Sequence, residues 1–239
     1  MKLTFIALKV TRHSDSQSIL WAYSRQLGRI SLALPAGRGR EANRMRALTM
    51  PLGVVECESE TRSLRDILPM KQLRAVMPLA GVHSDPIKQM VAMFVAETLS
   101  LALRGGGSEP ALFDFLTESI GVLEKADPRR TANFPICFLC RLAEKLGVEP
   151  DTTTYTPGSM LDMREGIWRR SAATHGESLG PADSDTAYLI SRMTYGNMGA
   201  FRFSRHDRAT IIETILRYYT IHVGPMSPMH TPGILHAML

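Results

Sequence analysis

The first 80 residues alternate apolar and polar side chains with the period of β-strands. "KLTFIALKV" is apolar and extended. In "QSILWAYS", Ile19, Trp21 and Tyr23 fall on one side. In "GRISLALP", Ile30, Leu32 and Leu34 face one way and Arg29 and Ser31 the other. "LTMPLGVVECES" reads as a longer fourth strand with Gly53 inside it, where a glycine marks a bulge or a tight bend. "RDILPMKQLRAV" reads as a fifth. The links "HSDS" and "RQLG" have the composition of short turns. Five short strands, one of them bent, predict a small barrel of the OB type.

After Pro78 the period becomes helical. "SDPIKQMVAMFVAETLSLALRGGG" sets Ile87, Met90, Val91, Phe94, Val95 and Leu99 on one stripe, with Ser84 or Asp85 as cap, Pro86 in the first turn and Gly105 as the stop. "SEPALFDFLTESIGVLEKAD" repeats the scheme, with Ser108 as cap and Pro110 in the first turn. "NFPICFLCRLAEKLG" is a third helix, ending at Gly147. Pro150 to Pro181 is irregular and rich in Thr, Gly, Pro and Ser, with a short strand pair expected in "MLDMREGIW". "DSDTAYLISRMTYG" has a weaker helical pattern. "SRHDRATIIETILRYYTIHV" has a strong one, with a Ser204/Asp207 capping box and a stripe of Ile211, Ile212, Ile215, Leu216 and Tyr219. The segment "GPMSPMHTPGILHAML" is expected to be mobile at its start. The expected fold class is α+β: an OB-fold β-barrel over residues 1–80, then an all-helical domain over 81–239.

Composition narrows the function. Of 239 residues, 44% are hydrophobic and 21% charged, a globular balance. The net charge of +5 is unevenly placed. Residues 1–80 hold 13 basic and 6 acidic side chains, a surplus of seven, whereas residues 81–239 hold 15 and 17. An electrostatic function is therefore expected in the N-terminal third. Three cysteines make no disulfide framework. "MKLTFIALKV" does not read as a signal peptide, because its apolar stretch is short and Lys9 and Arg12 follow at once. No apolar run approaches a membrane span. A soluble, cytoplasmic protein is expected.

Enzyme signatures are missing from the sequence. There is no GxxxxGK[ST], GxSxG or HExxH, and the seven histidines and the carboxylates are scattered. "RGGGSEP" has no strand before it and no lysine after it, so it reads as a helix–helix loop. Cys137 and Cys140 have CxxC spacing, but they sit inside a predicted helix and no second pair exists, which favours buried core cysteines. No catalytic residue, cofactor or metal is expected.

The stretch "LPAGRGREANRMRALTMP" places Arg38, Arg40, Arg44 and Arg46 within nine residues, opposed by Glu41. It reads as a loop after the third strand. Arg25 and Arg29 lie on the turn before that strand, and Lys9 and Arg12 end the first. Such a run is either a solvated face or a surface for phosphates. Arginine grips phosphate bidentately, and OB-fold faces and loops bind single strands. No phosphate-loop pattern surrounds Gly37 and Gly39, and no basic amphipathic helix points to a membrane. These eight side chains are the candidate DNA contacts. Phe5, Trp21 and Tyr23 are either stacking platforms or core.

The chain resembles the RecO family of bacterial DNA repair and recombination mediators. The resemblance rests on "ALKVTRHSDSQSILWAYSRQLGRISLALPAGRG", "PLAGVHSDPIKQMVAMFVAETLSLAL", "ALFDFLTESIGVLE", "NFPICFLCRLAEKLGVEPD", "MLDMREGIW" and "FSRHDRATIIETILRYYTIHV", in that order and spacing. It implies an OB-fold followed by a helical domain, and binding of single- and double-stranded DNA with annealing of complementary strands. It also implies work with RecR to load RecA onto DNA coated by single-strand-binding protein, without ATP, in a nucleoid-associated cytoplasmic protein. Many relatives carry a four-cysteine zinc element after the "LGVEPD"-like segment. Here "DTTTYTPGSMLDMREG" has no cysteine, so zinc is not expected and Tyr155 to Gly166 must hold shape by packing and hydrogen bonds. The family's helical domain contacts the acidic, apolar tail of single-strand-binding protein. Arg129, Arg130 and Arg141, beside Phe134 and Phe138, are the candidates for that contact; the alternative is plain surface charge on a packed helix.

Overall fold

The structure is a computed structural model, and it describes residues 1–37, 39–60 and 67–238. The chain divides into two compact units, Met1–Lys125 and Ala126–Leu239. Strand gives way to helix near residue 80, yet the first helices after that change group with the sheet.

Unit one begins with β1 (Lys2–Arg12), β2 (Gln17–Ser24) and β3 (Gly28–Pro35), followed by α1 (Arg40–Leu48), β4 (Val54–Glu58) and β5 (Lys71–Ala75). The sheet is antiparallel, in the order β3-β2-β1-β4-β5. Just before β5, Leu68 bridges back to β3 at Leu32. The Leu68 N–H donates to the Ser31 carbonyl, and the Leu68 carbonyl accepts from the Ala33 N–H, both at 2.8 Å. One bridge thus draws the two sheet edges together without a continuous ladder, an arrangement compatible with an OB-fold. Leu3, Phe5, Leu20, Ala22, Ile30, Leu32, Leu34, Val55 and Leu73 fill the concave side. Ile30, Leu32 and Leu34 share that side, as their alternation predicts, while Ile19, Trp21 and Tyr23 alternate onto the outer face.

Two expectations about the barrel change. The predicted long fourth strand is shorter, starting at Val54. Gly53 lies in the turn before it, where an added Cβ would sit 2.4 Å from the Leu48 carbonyl oxygen, so glycine answers a close backbone approach. The register shifts fall elsewhere, at Ala7/Lys9 in β1 and at Glu56/Glu58 where β4 pairs β5. The stretch read as a basic loop carries helix α1. Ala42 and Met45, three apart, are buried, Glu41 sits in the first turn and Arg46 in the last, which suits the helix dipole. The sequence pattern of four arginines in nine residues hid that apolar edge.

The unit closes with α2 (Ala80–Ser84), α3 (Pro86–Ala102) and α4 (Pro110–Lys125). Asp85 caps α3, accepting from the Ile87 and Lys88 N–H groups. Ser108 does not cap α4; its hydroxyl donates to the Arg25 carbonyl at 2.6 Å. The Glu124 carboxylate accepts from the Gly81 and Val82 N–H groups, and buried Lys88 donates to the Glu124 carbonyl. These bonds satisfy one helix end with another.

Unit two is built from α5 (Pro128–Lys145), the hairpin β6 (Met160–Asp162) and β7 (Ile167–Arg169), α6 (Pro181–Ser191), α7 (Arg205–His222) and α8 (Thr231–Met238). Asp127 caps α5, which starts at Pro128, five residues ahead of the predicted start, and the Ser204/Asp207 capping box opens α7. Tyr219 on α7 donates to the Leu139 carbonyl of α5 at 2.7 Å. Trp168 of the hairpin packs edge-on to Tyr155 and Tyr188, which stack on each other at 3.7 Å.

The hairpin's polar centre is Asp162. It accepts from the Arg164 and Glu165 N–H groups and lies 3.2 Å from Arg169 and 3.1 Å from His175. Burial alone would raise its pKa; the Glu165 and Arg164 N–H bonds and His175 outweigh that and lower it. A carboxylate surrounded by donors and a guanidinium offers no zinc site, so the residues present do not fit the metal of the zinc-bearing relatives.

Candidate nucleic-acid interface

Seven of the eight predicted DNA-binding side chains are described, and they fall on different parts of unit one. Arg38 lies outside the described residues. Arg40 and Arg44 are four apart on α1 and both exposed. Arg44 is oriented by its own surroundings: it donates to the Leu73 carbonyl at 2.7 Å and to Glu41 at 3.1 Å. Arg46 is half-buried, with hydrogen bonds to the Ala36 carbonyl and to Asn43. The α1 arginines therefore project from a helix rather than a loop.

A second group lies on or beside the outer face of the sheet. Lys9 is exposed and pairs in register with Trp21. Trp21 donates through its indole N–H to Thr11 Oγ1 at 3.2 Å, and the Arg29 guanidinium lies over its ring, 5.2 Å from the centroid. Arg29 also donates to the Ser100 carbonyl of α3. Burial and then the neighbouring Arg104 charge lower its pKa, though a guanidinium remains charged at neutral pH. Arg12, at the end of β1, pairs with Asp15 at 2.6 Å. Arg25 holds Asp114 of α4 through both guanidinium nitrogens.

The side chains expected to bind a protein tail divide sharply. Phe134 and Phe138 are each 1% exposed and stack within the core, so they present no apolar surface to a partner in this structure. Helical spacing alone did not separate that inward stripe from an outward one. Arg129 is exposed. Arg130 donates to the Tyr195 carbonyl at 2.8 Å, and Arg141 to the Ser191 carbonyl at 2.6 Å and to Glu144. Arg141 also stands at the edge of a cavity of about 250 Å³ lined by Leu161, Ile190, Ile215 and Tyr218. Sequence reasoning missed this cavity, because its lining converges from α5, α6, α7 and the hairpin.

Cys137 and Cys140 lie on α5 as expected, and burial pushes both thiols up to about 12. They are neutral at physiological pH and poor nucleophiles. Among the described residues, no cluster of three or more His, Cys, Asp or Glu side chains has metal-holding geometry, and no helix is long and apolar enough to cross a membrane.

Residues 83–231 match the family described as "Recombination protein O C terminal". The chain is also 32% identical over 237 residues to the DNA repair protein RecO of Azobacteroides pseudotrichonymphae, covering 99% of this chain and 98% of the relative. The chain belongs to the RecO family. The RecO of Porphyromonas gingivalis strain W83 is 35% identical (98% and 96% covered), and that of Phocaeicola vulgatus 31% (98% and 97%). These RecO proteins carry the name of DNA repair proteins.

Proposed function

We propose that this chain is a DNA repair and recombination mediator rather than an enzyme. In this reading residues 1–80 bind single- and double-stranded DNA, and the chain anneals complementary strands. With RecR it helps load RecA onto DNA coated by single-strand-binding protein. The observation that carries the reading is the exposure of Arg40 and Arg44 together on helix α1, in a segment with a surplus of seven positive charges. Arginines along two phosphate backbones release counterions and reduce repulsion between strands, while the bases remain open to pairing. Lys9, Arg12, Arg25, Arg29, Arg38 and Arg46 complete the proposed contact set. The names of the relatives support the same role.

A salt titration of DNA binding is the test. Changing Arg38, Arg40, Arg44 and Arg46 together to Glu is expected to weaken binding on the order of a hundred-fold at moderate salt and to flatten the salt dependence. A folded variant with the wild-type affinity overturns the site. Because Arg44 also bonds the Leu73 carbonyl, Arg40→Glu alone is the cleaner electrostatic probe.

A second reading is a scaffold that binds acidic protein tails, with DNA contact incidental. The cavity lined by Leu161, Ile190, Ile215 and Tyr218 is the observation nearest to it, since an acidic, apolar tail needs an apolar groove beside a cation, although Arg141 in that lining already pairs with Glu144, and Glu149 and Asp183 line it too. Pull-down with a single-strand-binding-protein tail peptide, beside a DNA gel shift, separates the two.

A further inference from the structure

Three aromatic side chains of the five-stranded sheet are candidates for stacking, and their burial tells them apart. Phe5 is 0% and Tyr23 1% exposed, whereas Trp21 is partly exposed. Trp21 sits in the middle of β2 on the outer face, alternating with Leu20 and Ala22 of the core. Its ring is held at two points, by the indole N–H bond to Thr11 and by the Arg29 guanidinium. Arg29 is itself anchored at the Ser100 carbonyl, so the cation stays in place beside the ring. Lys9 lies directly across on β1 and is exposed. A fixed indole, a stacked cation and an exposed ammonium one strand away form a platform with an apolar centre and a positive margin.

We propose that Trp21 stacks on an unpaired base of single-stranded DNA, with Lys9 and Arg29 supplying the positive charge that meets adjacent phosphates. The inference rests on the DNA-binding reading above and adds the strand form that this face reads. A single strand can turn a base onto an aromatic ring, and base–aromatic stacking is tolerant of sequence. In a duplex the bases are already stacked on one another, so the ring has little to add. The α1 arginines serve both forms through phosphate alone.

Fluorescence tests this in the full-length chain. The protein has two tryptophans, Trp21 and Trp168, so Trp168→Phe leaves Trp21 as the reporter. An oligo-dT strand is expected to quench its emission, saturating with binding, and a hairpin duplex to quench it much less. Trp21→Ala is expected to weaken oligo-dT binding by about five- to a hundred-fold, with a clearly smaller loss on the duplex. Trp21→Phe, which keeps a ring, is expected to recover most of the single-strand affinity. If Trp168→Phe disrupts its unit, the difference between wild type and Trp21→Phe gives the same signal. Saturated oligo-dT binding with Trp21 emission unmoved overturns the proposal, as does an equal loss on both DNA forms in Trp21→Ala. Both results leave the DNA-binding reading standing. Failure of the wild-type chain to bind either DNA form removes that reading, and the stacking role with it.

Discussion

Arg40 and Arg44 on α1, and Arg130 and Arg141 on α5, are the same side chain on two helices that both begin within basic sequence. On α1 Arg40 and Arg44 are exposed, Arg44 even while it donates to the Leu73 carbonyl, and the buried side of the helix is Ala42 and Met45. On α5 the guanidinium groups of Arg130 and Arg141 are spent inside their own unit, on the carbonyls of Tyr195 and Ser191. Each ties a helix to a segment 50 or more residues away that would otherwise leave a carbonyl to satisfy. The difference teaches that an arginine's count toward a binding surface depends on which acceptors its fold places within reach. The helix with the better sequence claim to an aromatic surface, Phe134 with Phe138, is the one whose aromatics are interior.

The strongest way to break this comparison is Phe134→Ala. If Phe134 is core, stacked on Phe138 and on Tyr195 at 5.7 Å, the change costs about 3–5 kcal/mol and lowers the melting temperature visibly in a thermal scan. An unchanged melting temperature would mean that the ring is on the surface after all. Next in size is Arg130→Ala. Loss of a charged hydrogen bond to a half-buried carbonyl is expected to cost about 1–3 kcal/mol by denaturant titration, with no change in the salt slope of DNA binding. Arg40→Ala should do the opposite. It leaves the melting curve in place and reduces the salt slope for single-stranded DNA by about 0.7 if Arg40 meets one phosphate.

Acid titration probes the other polar structure of unit two. Asp162 has its folded pKa lowered, so its contribution to stability is present above the unfolded carboxylate value of about 3.9 and is lost as pH falls through the folded value. Stability should therefore decline in the range below about pH 4. Asp162→Asn should lower stability at neutral pH and flatten that acid limb, measured by thermal melts across pH.

Much of this structure is legible in the sequence because its signals are local. Strand alternation in "GRISLALP", the Asp85–Pro86 start of α3 and the Ser204/Asp207 box are set by residues within a few positions of one another, and each element forms where they indicate. Helix α1 was harder, since its burial needs only Ala42 and Met45 and its charge pattern resembles a solvated loop. The bulge at Ala7/Lys9 carries no glycine and is fixed by pairing with β2, a partner the local sequence does not specify. In the candidate site, residue types were readable but partners were not. Arg29 bonds a backbone carbonyl 71 residues away, and no side-chain pattern announces such an acceptor. Trp21 was visible as an aromatic, while its exposure depended on which face of β2 the core claimed.

The smallest expected effect concerns Arg25, which stands between the two behaviours in the comparison. It is partly exposed like an α1 arginine, yet it is engaged by Asp114 through two nitrogens. The hydrogen bond and charge of Asp114 raise the Arg25 pKa, and Arg25 in turn lowers that of Asp114. Both groups are open to solvent, so screening leaves the pair little weight in stability. Asp114→Asn should therefore leave the melting temperature where it is. For DNA the same change removes a negative charge beside the proposed phosphate surface and releases Arg25 to face it. A gain of a few-fold in affinity at low salt is expected, shrinking as ionic strength rises. An equal affinity at every salt concentration would assign Arg25 to holding the turn against α4, and would reduce the phosphate surface to α1 with Lys9, Arg12 and Arg29. A gain that vanishes with salt would instead place Arg25 with the α1 arginines, restrained by Asp114 until a phosphate replaces it.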